Sequence, residues 1–109
     1  MSFQAKPLAD GVLPIVQGAI YAVPIGVAAS YIKQLLLFNE NAATQTIDLY
    51  LTTLSGTPRR WARVILEQNQ RAVMLEHGET ITLEAQQSIE AVTTTAAAVS
   101  YTITGVEET

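Results

Sequence analysis

The residues that could do chemistry are few. His77, the one histidine, stands two positions before Glu79, and together they could offer two ligands to a metal ion. Protein metal sites generally use three or four side-chain ligands, and the sequence has no second histidine and no cysteine to complete such a set. We therefore interpret this segment as a polar turn, and predict no metal site and no cofactor.

Catalytic arrangements are equally sparse. A Ser-His-Asp triad would have to combine His77 with Asp10 or Asp48, and no serine lies in a G-x-S-x-G elbow. The paired acidic residues are Glu76 with Glu79 and Glu107 with Glu108. We predict that they fall in exposed segments, whereas general acid–base catalysis needs a carboxyl group in a shaped, partly dry pocket. We predict that the protein is not an enzyme.

A basic cluster is the most distinctive surface feature of the sequence. It consists of Arg59, Arg60 and Arg63 with Trp61 between them. Arginine beside an aromatic residue is typical of binding hot spots, so we predict these four residues as a candidate partner interface. The alternative, which the sequence leaves open, is that Trp61 belongs to the core and the arginines frame it in solvent.

Charge and hydropathy limit the classes of partner. The net charge of −4 argues against nucleic acid, because non-specific affinity for it needs a surplus of Lys and Arg. The longest apolar stretch, around residues 35–38, is far too short for a membrane span. The N-terminus lacks the pattern of a signal peptide, so we expect synthesis in the cytoplasm.

The C-terminal run from Thr80 to Glu108 shows most clearly what kind of secondary structure the chain forms. Its apolar residues recur every second position among Thr and Ser, which is typical of half-buried strands. The residues predicted to face the core are Ile81, Leu83, Ile89, Val99, Tyr101 and Ile103.

Further strands are predicted upstream. Pro14 limits Val12–Val16 to an edge strand at most, and Ala19–Val23 alternates weakly. Ser30–Phe38 has apolar residues at both odd and even positions, which suits either a central strand covered on both faces or a strand with a bulge. Thr44–Thr53 alternates regularly, and we predict that it forms a hairpin with Ser30–Phe38.

Residues 59–78 are ambiguous, since they are rich in good helix formers. Five polar residues, Glu67 to Arg71, would interrupt the apolar stripe of a helix. We therefore favour a strand at Trp61–Leu66, a loop at 67–70 and a second strand at Arg71–Leu75, with a helix as the alternative.

The eight or nine predicted strands define an all-β chain of one domain. We predict an antiparallel β-sandwich, jelly-roll-like, over residues 12–109, preceded by an extended N-terminal arm of residues 1–11. Thr-rich outward faces with few lysines protect sheet edges poorly. We expect sister subunits or a larger particle to cover some of them.

Several segments, in order, resemble small virion structural proteins of tailed bacteriophages. IYAVP at 20–24 resembles their "YTVPAG" segment, and SYTITGVEE at 100–108 resembles their "ISGVEE" terminus. Residues 32–51 and 66–92 are similar to their central strands and polar turns. The sequence departs from the family at 85–88, where a Gly-Asp turn is usual, and at Gly26.

The resemblance implies a β-sandwich component of the virion with no enzymatic activity. It implies most directly a capsid decoration (cement) protein that binds the major capsid protein as a homo-oligomer, with a trimer favoured. A neck, tail or fibre-attachment protein is the alternative in the same class. A carbohydrate-binding module is the alternative in another class, and it would need exposed aromatic residues drawn from Tyr21, Tyr31, Tyr50, Trp61 and Tyr101.

Overall fold

β-Strands are the only regular secondary structure in the part of the protein that the structure describes. A computed structural model describes residues 3–52, 57–75 and 80–109. Its strands are β1 (Phe3–Val12), β2 (Gly18–Ala22), β3 (Ala29–Asn39), β4 (Gln45–Thr52), β5 (Pro58–Leu66), β6 (Arg71–Met74), β7 (Ile81–Glu84), β8 (Ser88–Val92) and β9 (Val99–Glu108). Burial alternates along them, as at Gln45, Ile47 and Leu49 of β4, because successive side chains of a strand point to opposite faces.

The strands form two antiparallel sheets. Sheet A has the order β1-β9-β3-β6, with β7 also paired to β3, and sheet B has the order β2-β8-β4-β5. β6 and β7 pair with successive parts of the same edge of β3, so they act as one interrupted strand. Counted in that way, the order is that of an eight-stranded jelly roll. The predicted antiparallel sandwich is confirmed.

The predicted hairpin between Ser30–Phe38 and Thr44–Thr53 is wrong, although both strands exist. β3 lies in sheet A and β4 in sheet B, and β3 has β9 on one side and β6 and β7 on the other. Residues 40–44 therefore cross between the sheets. Alternation reports which face of a strand is buried, not which strand lies beside it. β3 is both central and bulged, between Ile32 and Gln34.

The N-terminal segment is part of a sheet. Residues Phe3–Gly11, expected to form an arm, lie in β1, which pairs with β9 along its length. They form an edge strand rather than a loose lead-in, and Pro7 is tolerated because an edge strand leaves one row of backbone donors unpaired. No strand continues from Val12 to Val16, because residues 13–17 cross to sheet B.

The strand-loop-strand prediction for the ambiguous segment is confirmed, and the helical alternative is wrong. β5 begins at Pro58, three residues earlier than predicted, and a turn follows it before β6. In that turn Gln70 N–H donates to the carbonyl of Glu67 at 3.1 Å, and Asn69 has a φ of 60°. The predicted turn at His77 lies outside the described residues.

The core lies between the two sheets, and the inward residues predicted for the C-terminal run are confirmed. Leu83, Ile89, Val99 and Ile103 are buried, while Ile81 and Tyr101 are partly buried and pack against them. Other strands, and the residues that directly follow β1 and β2, contribute the remaining large core side chains, which are Leu13, Ile20, Tyr21, Val23, Ile32, Leu35, Leu37, Ile47, Leu49 and Leu66.

Gly105 marks a position of very close packing in sheet A. A Cβ at this position would collide with the carbonyl oxygen of Tyr31 and lie 3.0 Å from Leu8 Cδ1. Both neighbours of β9 bulge at this level, β3 between Ile32 and Gln34 and β1 between Pro7 and Ala9. The glycine is therefore required by the close approach of backbones, a role that glycine often has in strands.

Candidate interaction surfaces

The predicted interface residues Arg59, Arg60, Trp61 and Arg63 all lie on β5, at an edge of sheet B. Arg63 stands directly opposite Asp48 of β4, and opposite residues of an antiparallel pair project from the same face. The Arg60 and Arg63 side chains are 54% and 53% exposed. Arg60 and Arg63 therefore project into solvent from the outer face of sheet B. Arg59 stands opposite Leu51, which packs against the core, so it projects from the other face.

Asp48 holds two of these arginines. Arg63 donates to it through Nε to Oδ1 at 2.7 Å and through Nη2 to Oδ2 at 3.2 Å, and Arg60 Nη1 lies 3.8 Å from Oδ1. The hydrogen bond from Arg63 lowers the pKa of Asp48, and the same bond raises the pKa of Arg63. One carboxylate offsets only part of the charge of the three arginines.

Trp61 is separated from Arg60 and Arg63. The register places Ala62 opposite Leu49 and Arg60 opposite Tyr50, so Trp61 is the extra residue of a β-bulge. It is partly buried and packs against the core. This placement agrees with the alternative in which Trp61 belongs to the core. Binding of a partner by the arginines stays a prediction.

A buried polar network links the two sheets, and the prediction that Glu107 lies in an exposed segment is wrong, since Glu107 is buried. Tyr21 of β2 donates its hydroxyl to Glu107 Oε2 at 3.1 Å and lies 2.6 Å from Ser30 Oγ. Because the tyrosine hydroxyl has a single proton, Ser30 donates to Tyr21. Lys6 Nζ of the edge strand β1 completes the network, 2.6 Å from Glu107 Oε1.

This network is structural in character. Burial raises the pKa of Tyr21, and the negative charge of Glu107 also raises it, while the hydrogen bond from Ser30 acts in the opposite direction. Each polar group has a partner, and no nucleophile stands beside a free base. The alternation of side chains along β9 could have revealed that Glu107 points inward, since Glu107 is four residues from Ile103 and so lies on the same face of the strand.

A shallow groove of about 440 Å³ lies beside Gly105, between β1 and β3. It is lined by Lys6, Pro7, Lys33, Thr104, Gly105 and Val106. Ligand sites bring a few polar groups to converge on a cleft that encloses the ligand. Here Lys6 is paired with Glu107, and Lys33 Nζ donates to Thr80 Oγ1 at 3.0 Å. We assign no ligand to this groove.

The other predicted sites can be placed only in part. Among the described residues, no group of three or more His, Cys, Asp or Glu side chains could hold a metal ion. His77 and Glu79 lie outside those residues. Within 3–52, 57–75 and 80–109, no helix is long and apolar enough to cross a membrane.

The aromatic residues do not form a platform for a sugar. Tyr21, Trp61 and Tyr101 pack against the core or within it. Tyr31 shares the outer face of sheet A with its neighbour Val106, whereas Tyr50 shares the outer face of sheet B with Asp48. The two outward tyrosines are therefore on opposite sides of the sandwich.

Comparison with known proteins identifies the fold. No family model and no curated protein matches the chain. The chain is similar to a solved structure from work stating that "Bacillus endospore appendages form a novel family of disulfide-linked pili". The TM-score is 0.55 and the sequence identity is 15%. The match covers 99% of this chain and 88% of that chain. Such low identity shows a common fold alone, extending over the whole sandwich.

Proposed function

We propose that the chain is a non-enzymatic structural protein that associates with copies of itself in a larger assembly. The observation that supports this most is the likeness, over 99% of the chain, to a structure from Bacillus endospore appendages, which form pili. A β-sandwich of this kind suits the role of a building unit, because a building unit binds its neighbours through surfaces and needs no pocket.

The outer face of sheet A gives independent support. Leu36 and Phe38 of β3 project from it and are only half-buried, while Leu35 and Leu37 fill the core on the other side. Val73 stands opposite Leu36 and extends the apolar area. Contiguous apolar surface of this kind typically marks a contact with another protein.

The more specific form of the proposal is a decoration protein on the head of a tailed phage, bound as a homotrimer to the major capsid protein. The sequence resemblance over residues 18–108 supports it, with a neck, tail or fibre-attachment position as the alternative. Many copies, each with a modest contact, would together attach firmly.

The oligomeric state tests the general proposal. Light scattering of the purified chain at micromolar concentration should give a mass above the 11.8 kDa of one copy, and three times that mass for the favoured trimer. A single species of 11.8 kDa that does not change with concentration would overturn self-association.

Location tests the specific form. Particles from lysates are separated on a density gradient, and each fraction is probed with an antibody against this chain. We expect the chain in the head fraction at constant stoichiometry. Its presence in the tail fraction alone would favour the neck or tail alternative, and its presence in cell-surface appendages alone would exclude the virion.

A further inference from the structure

Two exposed apolar surfaces lie at the two ends of β2. The first, which we name the knob, is Ile25 at the tip of the turn Pro24–Val27. Val27 N–H donates to the carbonyl of Pro24 at 3.2 Å, and Gly26 has the positive φ of 91° that a type II turn requires at this position. Ile25 is fully exposed, at 106% of its reference area. A tight turn thus holds an isoleucine side chain out in solvent.

The second surface, which we name the pad, comprises Val12, Ile15 and Val16, exposed to 54%, 55% and 75%. Its backbone is anchored on both sides. Leu13 N–H donates to the carbonyl of Val99 at 2.8 Å, and the carbonyl of Pro14 accepts from Thr93 N–H at 2.9 Å. Leu13 is buried between the exposed residues. The pad is therefore a fixed apolar surface.

Both surfaces belong to an uncharged segment of the chain. Residues 11–32 contain no Asp, Glu, Lys or Arg, although the chain has sixteen such residues. The turn at 94–97, which follows the Thr93 that binds the pad, is also uncharged. Moving a charged group out of water would oppose a contact between knob and pad. Neither loop contains such a group, so this cost does not arise.

Knob and pad cannot meet within one copy. The pad precedes β2 and the knob follows it, so the length of the strand Gly18–Ala22 separates them. A contact between them therefore needs a second copy, and each copy keeps one knob and one pad free for further neighbours. Such a head-to-tail contact is heterologous, and it generates an open chain or a ring of copies.

We propose that Ile25 of one copy docks on Val12, Ile15 and Val16 of a second copy. The inference rests on the proposed self-association and names one of its contacts. The surface is smaller than the interface of a stable dimer, so a single link is weak and becomes firm by repetition along an assembly. Ile65, the other large apolar residue that is strongly exposed, lies alone on β5 beside Arg63 and serves as a control.

Cysteine cross-linking tests the contact cleanly, because the natural chain has no cysteine. Ile25→Cys and Val16→Cys chains are mixed in equal amounts and oxidised mildly, and the disulfide-linked peptides are counted by mass spectrometry. We expect the Ile25–Val16 link in excess of the share that random pairing gives. The matched control replaces Val16→Cys with Ile65→Cys, where pairing should be random. Random pairing in both mixtures would overturn the proposal.

Sedimentation velocity separates this contact from self-association in general. Ile25→Asp places a charge on the pad and should lower the mean sedimentation coefficient at high concentration, whereas Ile65→Asp should leave it unchanged. Circular dichroism checks that both variants are folded. If the natural chain associates and Ile25→Asp associates equally well, the knob is not the contact, although the proposed function stands. If the natural chain is always monomeric, self-association fails and the proposed contact fails with it.

Discussion

Glu107 shows how one polar residue can join the two layers of a sandwich. Its carboxylate lies in the core, where Lys6 reaches it from the edge strand of sheet A and Tyr21 reaches it from sheet B. A buried carboxylate is tolerated only when it is paired and hydrogen-bonded. Removal of either partner would leave part of that charge without compensation in the interior.

The network predicts a loss of stability at alkaline pH. Because the pKa of Tyr21 is raised in the folded protein, its contribution is complete below the unfolded value of about 10 and is lost as the pH rises through the folded value. Burial also raises the pKa of Tyr101. Urea midpoints measured on both sides of pH 10 should fall less steeply for Tyr21→Phe and for Tyr101→Phe than for the natural chain. Identical slopes for all three would contradict this account.

A second prediction concerns Gly105. Gly105→Ala should destabilise the protein by about 1–3 kcal/mol, because the added methyl group forces β3 away from β9. Gly18→Ala is the matched control, since its Cβ would meet only the carbonyl oxygen of Val16, at an ordinary 3.6 Å. Urea unfolding of both variants measures the difference. An equal effect of the two substitutions would show that the close approach at Gly105 is unimportant.

At this scale the sequence predicts apolar positions well and polar ones poorly. Ile103 and Leu83 follow from alternation alone. The loop at 67–70 was predicted from its polar residues, but the conformations of the turns at 67–70 and 84–87 were not, since each contains a non-glycine residue with positive φ, Asn69 and Gln86. In each, a glutamine side chain accepts from the backbone N–H of the glutamate three residues earlier, at 2.8 Å. Such local hydrogen bonds offset the strain of positive φ, and a composition rich in Gln and Glu does not reveal them.

Among the elements, β4 is tied to the loop between β8 and β9 by one side chain. Gln45 Oε1 accepts from Thr93 Oγ1 at 3.1 Å, from Thr94 Oγ1 at 2.9 Å and from Thr95 N–H at 3.1 Å. Gln45 is fully buried. A run of three threonines, which looks like a featureless polar link in the sequence, is therefore fixed in place by a buried glutamine.

Gln45→Ala should release this loop. It leaves three donors without their acceptor and should cost about 3 kcal/mol. It should also speed amide hydrogen exchange at residues 93–98, because opening of the loop no longer breaks these bonds. Gln34→Ala on the exposed part of β3 is the control and should change neither quantity. Unchanged exchange in Gln45→Ala would mean that the backbone alone fixes the loop.

The positions of strands were more predictable than their partners. The inward residues Ile89 of β8 and Val99 and Ile103 of β9 were predicted, because two-residue periodicity is local. The separation of β3 from β4 into different sheets was not predicted, because the pairing of strands depends on residues far apart in the chain. The arginines of β5 were expected on one surface, but the bulge that turns Trp61 towards the core leaves no clear local signal in the sequence.

For the molecule as a whole, the absence of cysteine separates it from the disulfide-linked pili whose fold it shares. Any assembly of this chain alone must rest on contacts other than disulfide bonds. We expect a reducing agent to change neither the midpoint of thermal unfolding nor the sedimentation of the assembled chain. A moderate concentration of urea should dissociate it instead. Dissociation by the reductant would require a cysteine-containing partner.

The central place of β9 also has a consequence for biosynthesis. Sheet A has β9 between β1 and β3, so neither has its main neighbour until residues 99–108 leave the ribosome. Pairing of segments so distant in sequence is slow, and unpaired edges invite aggregation meanwhile. A translation product that stops before Val99 lacks the middle of this sheet. We therefore expect a copy that lacks β9 to be unable to form sheet A.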